Sequence, residues 1–201
     1  MRTQVPLHGI RRVIEGTHEN PGEVLGPHRI EQDGREALAV RAYLPGSQQV
    51  WLVDKEHRAV RPMRKIHPAG FYEGLCPLGS TEPNSQYLLR VANERAEVTE
   101  MQDPYAVAPL MTDYDRYLFG EGRNWKIYRR LGAHCRTVNG EVGVNFAVWA
   151  PNAQSIQVVG DFNFWDGRQH AMRKQIPSGI WELFVPAAKV GQKYKFRIRA
   201  L

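Results

Sequence analysis

The 201-residue sequence carries a formal net charge of +6 and a pI near 9.5, with 42% hydrophobic and 24% charged residues. This composition can form one or two modest hydrophobic cores, and no apolar run reaches the about 18 residues of a membrane span. The basic residues are scattered in small groups, which argues against a nucleic-acid-binding surface. No signal peptide is recognisable, and the two cysteines, Cys76 and Cys135, are expected to be reduced. We therefore expect a cytoplasmic protein with no nucleic-acid or membrane partner.

The predicted elements, taken in chain order, are mostly strands. The segment "NPGEVLG" (20–26) offers an Asn cap, a proline in the first turn and a glycine stop, which is typical of a short helix. Apolar residues then alternate with polar or small ones over 38–44, and this pattern predicts a strand with one buried face. A second strand is predicted at "QQVWLV" (48–53). The same two patterns return over 144–150 and in "SIQVVG" (155–160).

The return of these patterns belongs to an internal repeat. The segments "PMRKIHPAGFYE" (62–73) and "AMRKQIPSGIWE" (171–182) share Met-Arg-Lys, a proline, and a run of glycine, apolar, aromatic and glutamate residues. Upstream, "LGPHRIEQDGREALAVRAYLP" (25–45) matches "LGAHCRTVNGEVGVNFAVWAP" (131–151) at a shift of 106. The shift drifts to 109 further along, as expected if loops changed length while strands did not. A repeat of this length is a whole domain.

The repeat also predicts the fold class. Downstream, "YLLR" (87–90) matches "YKFR" (194–197). The first copy continues into one more predicted strand within 94–106, whereas the second copy reaches Leu201 before the matching residues. Short strands separated by turn residues favour antiparallel β-sandwiches. We predict an all-β chain of two tandem immunoglobulin-like antiparallel β-sandwiches, the second lacking its last strand.

The repeat boundaries divide the chain into three parts. Residues 1–106 are predicted to form an N-terminal β-sandwich, and residues 131–201 a second, truncated sandwich. Residues 107–130 form the linker. A short helix is expected near 125–131.

Two longer motifs resemble a known family. The segments "RYLFGEGRNWKIYRRLGAH" (116–134) and "WAPNAQSIQVVGDFNFWDGR" (149–168) are similar to the N-terminal region of bacterial glycogen branching enzymes. In that family a first β-sandwich, a linker and a family 48 carbohydrate-binding module precede an α-amylase-type (β/α)₈ barrel. The barrel cuts an α-1,4-glucan and rejoins the piece through an α-1,6 bond. The resemblance implies a role in glycogen biosynthesis, with α-1,4-glucan or glycogen and the catalytic barrel of the same enzyme as partners.

The alternative is a free-standing, non-enzymatic glycogen-binding or scaffold protein.

The carboxylates of the sequence do not suggest a catalytic pair. A retaining glycan transfer needs two carboxyl groups about 5 Å apart. Glu73 and Glu182 stand at equivalent repeat positions, which favours structural cross-strand roles. Asp161 and Asp166 depart by one residue from the spacing of a calcium loop, and Met172 stands where that loop needs glutamate. We expect no catalytic residue, metal or cofactor, and no enzymatic activity from this stretch alone.

The candidate sugar-binding residues lie where the second copy departs from the first. Sugars stack on flat aromatic faces, and their hydroxyls meet amide or ammonium groups. The loop "DFNFWDGR" offers Trp165 and Asn163, and the "YKF" strand offers Lys195. The resemblance to glycogen-binding modules implies that Trp165 stacks on glucose and that Lys195 assists. The other reading is that Trp165 packs against the barrel or a neighbouring domain.

Four further residues are assigned to structure. Trp149 and Trp181 lie on predicted core strands, which favours packing roles. His28 and His134 occupy equivalent places in the two copies, and this favours packing or hydrogen bonding over chemistry.

Overall fold

The computed structural model describes residues 5–32, 34–54, 60–77, 87–186 and 188–200. The chain divides into two compact units: the first contains 1–15 and 22–106, and the second contains 16–21 and 107–201. The described residues contain one α-helix in each unit, α1 (Leu7–Ile14) in the first and α2 (Asp113–Gly120) in the second. Within the described ranges, no helix is long and apolar enough to cross a membrane.

The first unit is a sandwich of two antiparallel sheets. Its described strands are β1 (Gly26–Gln32), β2 (Arg35–Tyr43), β3 (Ser47–Asp54), β4 (Val60–Pro62), β5 (Arg64–His67), β6 (Phe71–Pro77), β7 (Tyr87–Asn93) and β8 (Val98–Met101). The sheet orders are β1-β2-β6-β5 and β4-β3-β7-β8. Leu38 and Val40 of β2 share one buried cluster with Leu52 of β3 and Leu89 of β7, so the core lies between the two sheets.

The second unit repeats this arrangement. Its strands are β9 (Gly132–Val138), β10 (Glu141–Trp149), β11 (Ala153–Gly160), β12 (Arg173–Gln175), β13 (Ile180–Val185) and β14 (Tyr194–Ala200). They form the sheets β12-β13-β10-β9 and β11-β14. The ring of Phe146 on β10 lies 4.9 Å from that of Tyr194 on β14 and 5.5 Å from that of Phe162, measured between centroids. The contact between Phe146 and the partly exposed Tyr194 joins the two sheets at the edge of the core.

The two units confirm the predicted repeat. Strands β9, β10 and β11 match β1, β2 and β3, while β12, β13 and β14 match β5, β6 and β7. The predicted hydrogen-bonding role of the paired histidines is also confirmed. His28 Nε2 lies 3.1 Å from the carbonyl oxygen of Leu25, and His134 Nε2 lies 2.9 Å from that of Leu131.

The units differ at both edges of one sheet. The first unit has β4 beside β3, whereas the matching edge of β11 carries, among the described residues, only an isolated bridge between Gln157 and Ala171. Strand β7 pairs with β3 on one side and β8 on the other. Its counterpart β14 pairs with β11 and with no other strand in the part of the chain that the structure describes. Val91 of β7 packs against the core, whereas the matching Ile198 of β14 is 50% exposed. The second sandwich therefore lacks its last strand within the described residues, as predicted.

The helices differ more from the predictions. A short helix does lie within 107–130, as predicted, but not near 125–131: α2 spans Asp113–Gly120, and only the 3₁₀ turn Ile127–Arg129 follows it within that segment. Thr112 and Asp115 fix this start with reciprocal capping hydrogen bonds at 3.1 and 3.2 Å. Helix α1 was not predicted, and 20–26 contains only the 3₁₀ turn Pro21–Glu23.

The structure tests the prediction of reduced cysteines for only one of the two residues. Cys135 is a free and exposed thiol. The side chain of Cys76 lies outside the part of the chain that the structure describes.

Candidate functional site

The candidate site is the loop that joins β11 to β12. It contains two 3₁₀ turns, Asp161–Asn163 and Gly167–Gln169. Backbone hydrogen bonds close the first of them: the Trp165 amide donates to the Gly160 carbonyl and the Asp166 amide donates to the Asn163 carbonyl, each at 2.9 Å. The loop is thus a compact, internally bonded unit.

The side chain of Asn163 holds this loop together. Its Oδ1 accepts from the Gly160 amide at 2.9 Å, and its Nδ2 donates to the Val158 carbonyl at 3.0 Å. The same Nδ2 lies 3.1 Å from Nδ1 of His170. Both polar atoms of the Asn163 side chain are therefore engaged within the loop and the strand before it.

His170 closes the loop from its other end. Its side chain is buried beside the ring of Phe162, with ring centroids 5.7 Å apart. Burial lowers the pKa of His170 to about 4, against an opposing effect of the Asp166 carboxylate. At neutral pH the imidazole is therefore uncharged, so that its Nδ1 can accept the hydrogen bond from Asn163.

The indole of Trp165 is hydrogen-bonded at one edge and partly exposed to solvent. The side chain is 39% exposed. Its Nε1 donates to Oδ1 of Asp161 at 3.2 Å. Oδ2 of Asp161 accepts from the Lys193 amide at 2.8 Å, and the Asp161 amide donates to the Lys193 carbonyl at 3.1 Å. Asp161 thus ties the indole to the residues that lead into β14.

The role of Asp161 was missed by the sequence analysis, which considered this residue only as a metal ligand. One signal was available. At the shift of 106 that relates 25–45 to 131–151, Lys55 stands opposite Asp161, so Asp161 is one of the residues that distinguish the second copy from the first. The hydrogen bond itself depends on how the loop folds back, which the repeat does not indicate.

Lys195 lies on the same face of the sheet as this loop. It is exposed and pairs with Val159 of β11, and register partners in an antiparallel pair share one face. A Cβ added to Gly167 would come within 2.8 Å of side-chain atoms of Gln157 and Val159. The loop therefore packs on the face that carries Val159 and Lys195, and the structure brings Trp165, Asn163 and Lys195 to one region.

A second carboxylate of the loop is committed to a local ion pair. Oδ2 of Asp166 accepts from Nη2 of Arg168 at 2.6 Å, and both carboxylate oxygens lie 3.0 Å from Arg168 Nε. The hydrogen bonds from Arg168 lower the pKa of Asp166, and the charge of Arg197 on β14 adds to this effect. Across the described ranges, no group of three or more His, Cys, Asp or Glu side chains could hold a metal ion.

The two glutamates of the repeat have structural roles, as predicted. Glu73 accepts from Nε of Arg41, its cross-strand neighbour, at 2.9 Å. Glu182 is buried and accepts from Asn145 Nδ2 at 2.8 Å and from the backbone amides of Leu110 and Met111 at 3.1 Å. Glu182 therefore anchors the segment before α2 to the sheet.

The two tryptophans of the sheet differ. Trp181 is fully buried, and its Nε1 donates to the Ala150 carbonyl at 3.0 Å, which confirms its predicted packing role. The same prediction is wrong for Trp149, which is 55% exposed and forms a T-shaped ring pair with Phe119, 5.9 Å between centroids. The even-numbered residues of β10, such as Phe146, face the core, so Trp149 projects from the opposite face.

Both halves of the chain match known family models. Residues 130–200 match the model described as carbohydrate-binding module 48 (isoamylase N-terminal domain). The fold and this match place the second unit in the class of β-sandwich carbohydrate-binding modules. Residues 6–105 match the model described as alpha-1,4-glucan branching enzyme GlgB, N-terminal domain. The chain belongs to the GlgB branching-enzyme family and corresponds to its N-terminal region.

Curated relatives cover the chain almost completely. It is 49% identical to the 1,4-alpha-glucan branching enzyme GlgB of Rhodopirellula baltica over 99% of this chain and 27% of that protein. It is 43% identical to the GlgB protein of a Nostoc species over 98% of this chain and 25% of the relative. It is 46% identical to the GlgB protein of Rubrobacter xylanophilus over 94% of this chain and 25% of that relative. The chain thus spans about a quarter of the length of these relatives.

Proposed function

We propose that this chain binds α-1,4-glucan and positions it for a GlgB branching reaction, in which α-1,4-glucan segments are transferred to form α-1,6 branches. The catalytic barrel of the same enzyme is its proposed partner. In this proposal residues 131–201 are the glucan-binding module, and 107–130 link it to the sandwich of residues 1–106. The observation that carries the proposal is the partly open indole of Trp165, which the Asp161 carboxylate holds in place.

Stacking on Trp165 supplies the affinity. The apolar face of a glucose ring packs on the exposed indole surface, where both partners lose contact with water. The ring does not have to be ordered on binding, because Asp161 already fixes its edge and is itself bonded to Lys193. Such preorganisation lowers the entropic cost of binding.

Polar groups beside the indole supply orientation. The ammonium group of Lys195 is exposed on the face that carries the loop, and it can donate hydrogen bonds to sugar hydroxyls. Asn163 contributes indirectly in this proposal. Its amide holds the turn that presents Trp165, through Gly160, Val158 and His170.

The proposal assigns binding to this chain, and assigns the transfer reaction to the barrel. Glu73 and Glu182 are both engaged in buried structural bonds. Asp166 is paired with Arg168. The exposed free thiol of Cys135 is consistent with a reducing compartment, and we place the protein in the cytoplasm.

Affinity electrophoresis in glycogen-containing native gels tests the proposal. Trp165→Ala should weaken binding about fivefold or more, equivalent to about 1 kcal/mol, because the stacking surface is lost. Trp125→Ala is the matched control, since Trp125 is 87% exposed and lies outside the loop. Equal retardation of the wild type and Trp165→Ala, or an equal loss in both variants, would contradict sugar stacking at this site.

A further inference from the structure

Phe164, the neighbour of Trp165, is unusually exposed. Its side chain is 94% accessible to solvent. An aromatic ring that stays in water does not contribute the stabilisation that burial of the same ring would provide. A polar residue at this position would avoid that loss.

The backbone at this point is also unusual. Phe164 has φ 52° and Trp165 has φ 64°, so two successive aromatic residues adopt the left-handed conformation. Residues other than glycine rarely adopt this conformation, and asparagine and aspartate do so more readily than aromatic residues. The bonds from the Trp165 amide to Gly160 and from the Asp166 amide to Asn163 hold the turn in this form.

Both the exposure and the backbone conformation of position 164 are unfavourable for phenylalanine. Asparagine or glycine at position 164 would suit both the backbone and the solvent better than phenylalanine does. Strained backbone conformations of this kind concentrate at binding sites, where the surrounding structure enforces them. The exposed ring of Phe164 therefore calls for a ligand contact.

We propose that Phe164 is a second aromatic contact for the glucan, engaging a glucose unit beyond the one that stacks on Trp165. This inference rests on the proposed function of the Trp165 site. Phe164 directly precedes Trp165 and both are exposed on the loop, and successive exposed aromatic residues can contact successive rings of a polymer, as they do in single-stranded nucleic-acid sites. Because Phe164 has no polar group, its contribution depends on contact area alone, and only a chain long enough to reach it gains from it.

The consequence is a preference of this site for longer chains. A short oligosaccharide occupies the Trp165 surface and leaves Phe164 in water. A longer oligosaccharide covers both rings. Phe164 is therefore a specificity-determining residue for chain length, and Trp165 is the residue that sets basal affinity.

Calorimetric titration of the 201-residue protein with maltotriose and maltoheptaose tests this inference. Phe164→Asn removes the ring while keeping a residue that tolerates the left-handed backbone, and Phe164→Tyr keeps the ring. Phe164→Asn should weaken maltoheptaose binding about fivefold while changing maltotriose binding less than about twofold. Phe164→Tyr should retain the affinity for both sugars. Phe164→Gly is a second ring-less variant, and it should give the same result as Phe164→Asn.

Trp165→Ala separates this inference from the proposed function. If Trp165→Ala weakens both sugars and Phe164→Asn leaves maltoheptaose binding unchanged, the chain-length role of Phe164 is overturned and glucan binding at Trp165 stands. An equal loss for both sugars in Phe164→Asn would also overturn the chain-length role. If Trp165→Ala changes neither affinity, the proposed function itself fails, and this inference fails with it.

Discussion

The indole Nε1 of Trp165 donates a hydrogen bond to Oδ1 of Asp161 at 3.2 Å. The other oxygen of that carboxylate accepts from the Lys193 backbone amide at 2.8 Å. One acidic side chain therefore links the proposed stacking residue to the chain just before β14, which carries Lys195. The link fixes the indole relative to the backbone that leads into β14, from which the exposed Lys195 side chain extends.

Asp161→Ala should weaken the binding of maltoheptaose about threefold or more, because the freed indole must be ordered on binding. Asp166→Ala is the matched control, since it removes the same charge from the same loop but leaves the Trp165 bond intact. Calorimetric titration measures both affinities. Equal affinities for the two variants would show that the bond to Asp161 does not organise the indole.

The buried imidazole of His170 predicts a pH-dependent stability. Its pKa is about 4 in the folded state and 6.5 in an unperturbed histidine, so the unfolded chain binds more protons between these values. The contribution of His170 to the free energy of unfolding is therefore fully present above about pH 6.5 and declines as the pH falls towards 4. The total decline should be about 3 kcal/mol.

Urea unfolding between pH 4.5 and 7 measures this effect. His170→Gln offers an acceptor to Asn163 without a titrating group, and its stability should change less over this range. Asp115 and Asp166 have pKa values below the usual 3.8, so they add little above pH 4.5. An identical pH dependence in the wild type and in His170→Gln would refute the assignment to His170.

Glu182→Ala should destabilise the second unit by about 3 kcal/mol or more. The substitution leaves the amides of Leu110 and Met111 and the side chain of Asn145 without the acceptor they share. Glu121→Ala in the same unit is the control, because Glu121 is exposed and its loss should cost less than about 0.5 kcal/mol. Chemical unfolding compares the two, and a Glu182→Ala protein as stable as Glu121→Ala would contradict the anchoring role.

Hydrogen exchange should distinguish the two copies of the repeat. Strand β7 is paired on both edges, and β14 pairs only with β11 in the part of the chain that the structure describes. Backbone amides over 194–200 should therefore exchange faster than those over 87–93. Mass spectrometry of peptides from these segments gives the comparison. Equal protection would mean that the outer edge of β14 is covered.

Much of the fold could be predicted because the sequence contains an internal repeat of one domain. The alternation at Val144, Phe146 and Val148 matches that of the first copy, and two agreeing copies exclude accidental patterns. The same alternation places Trp149 on the opposite face from Phe146, and the core prediction for Trp149 failed because that parity was set aside. The short linker helix was predicted at the wrong position because the sequence of α2 has little helical periodicity, and its start depends on the bonds between Thr112 and Asp115.

The candidate site was less predictable. Trp165 and Lys195 follow from motif resemblance, and the structure adds that the loop of Trp165 packs on the sheet face that carries Lys195. The bonds of Asn163 to Val158 and His170 arise only when the loop folds back on β11, and no local sequence pattern records that contact. The left-handed backbone at Phe164 could not be predicted either, since phenylalanine rarely adopts this conformation.

The most direct test of glucan binding at Trp165 follows the indole N–H signals of the tryptophans by nuclear magnetic resonance during titration with maltoheptaose. The Trp165 signal is identified by its absence in Trp165→Phe. It should shift with saturation, because the sugar covers a ring whose Nε1 is held by Asp161. The signal of the buried Trp181, which donates to Ala150, should stay in place. A Trp165 signal that remains unmoved at saturating sugar, with shifts elsewhere or none at all, would contradict binding at this residue.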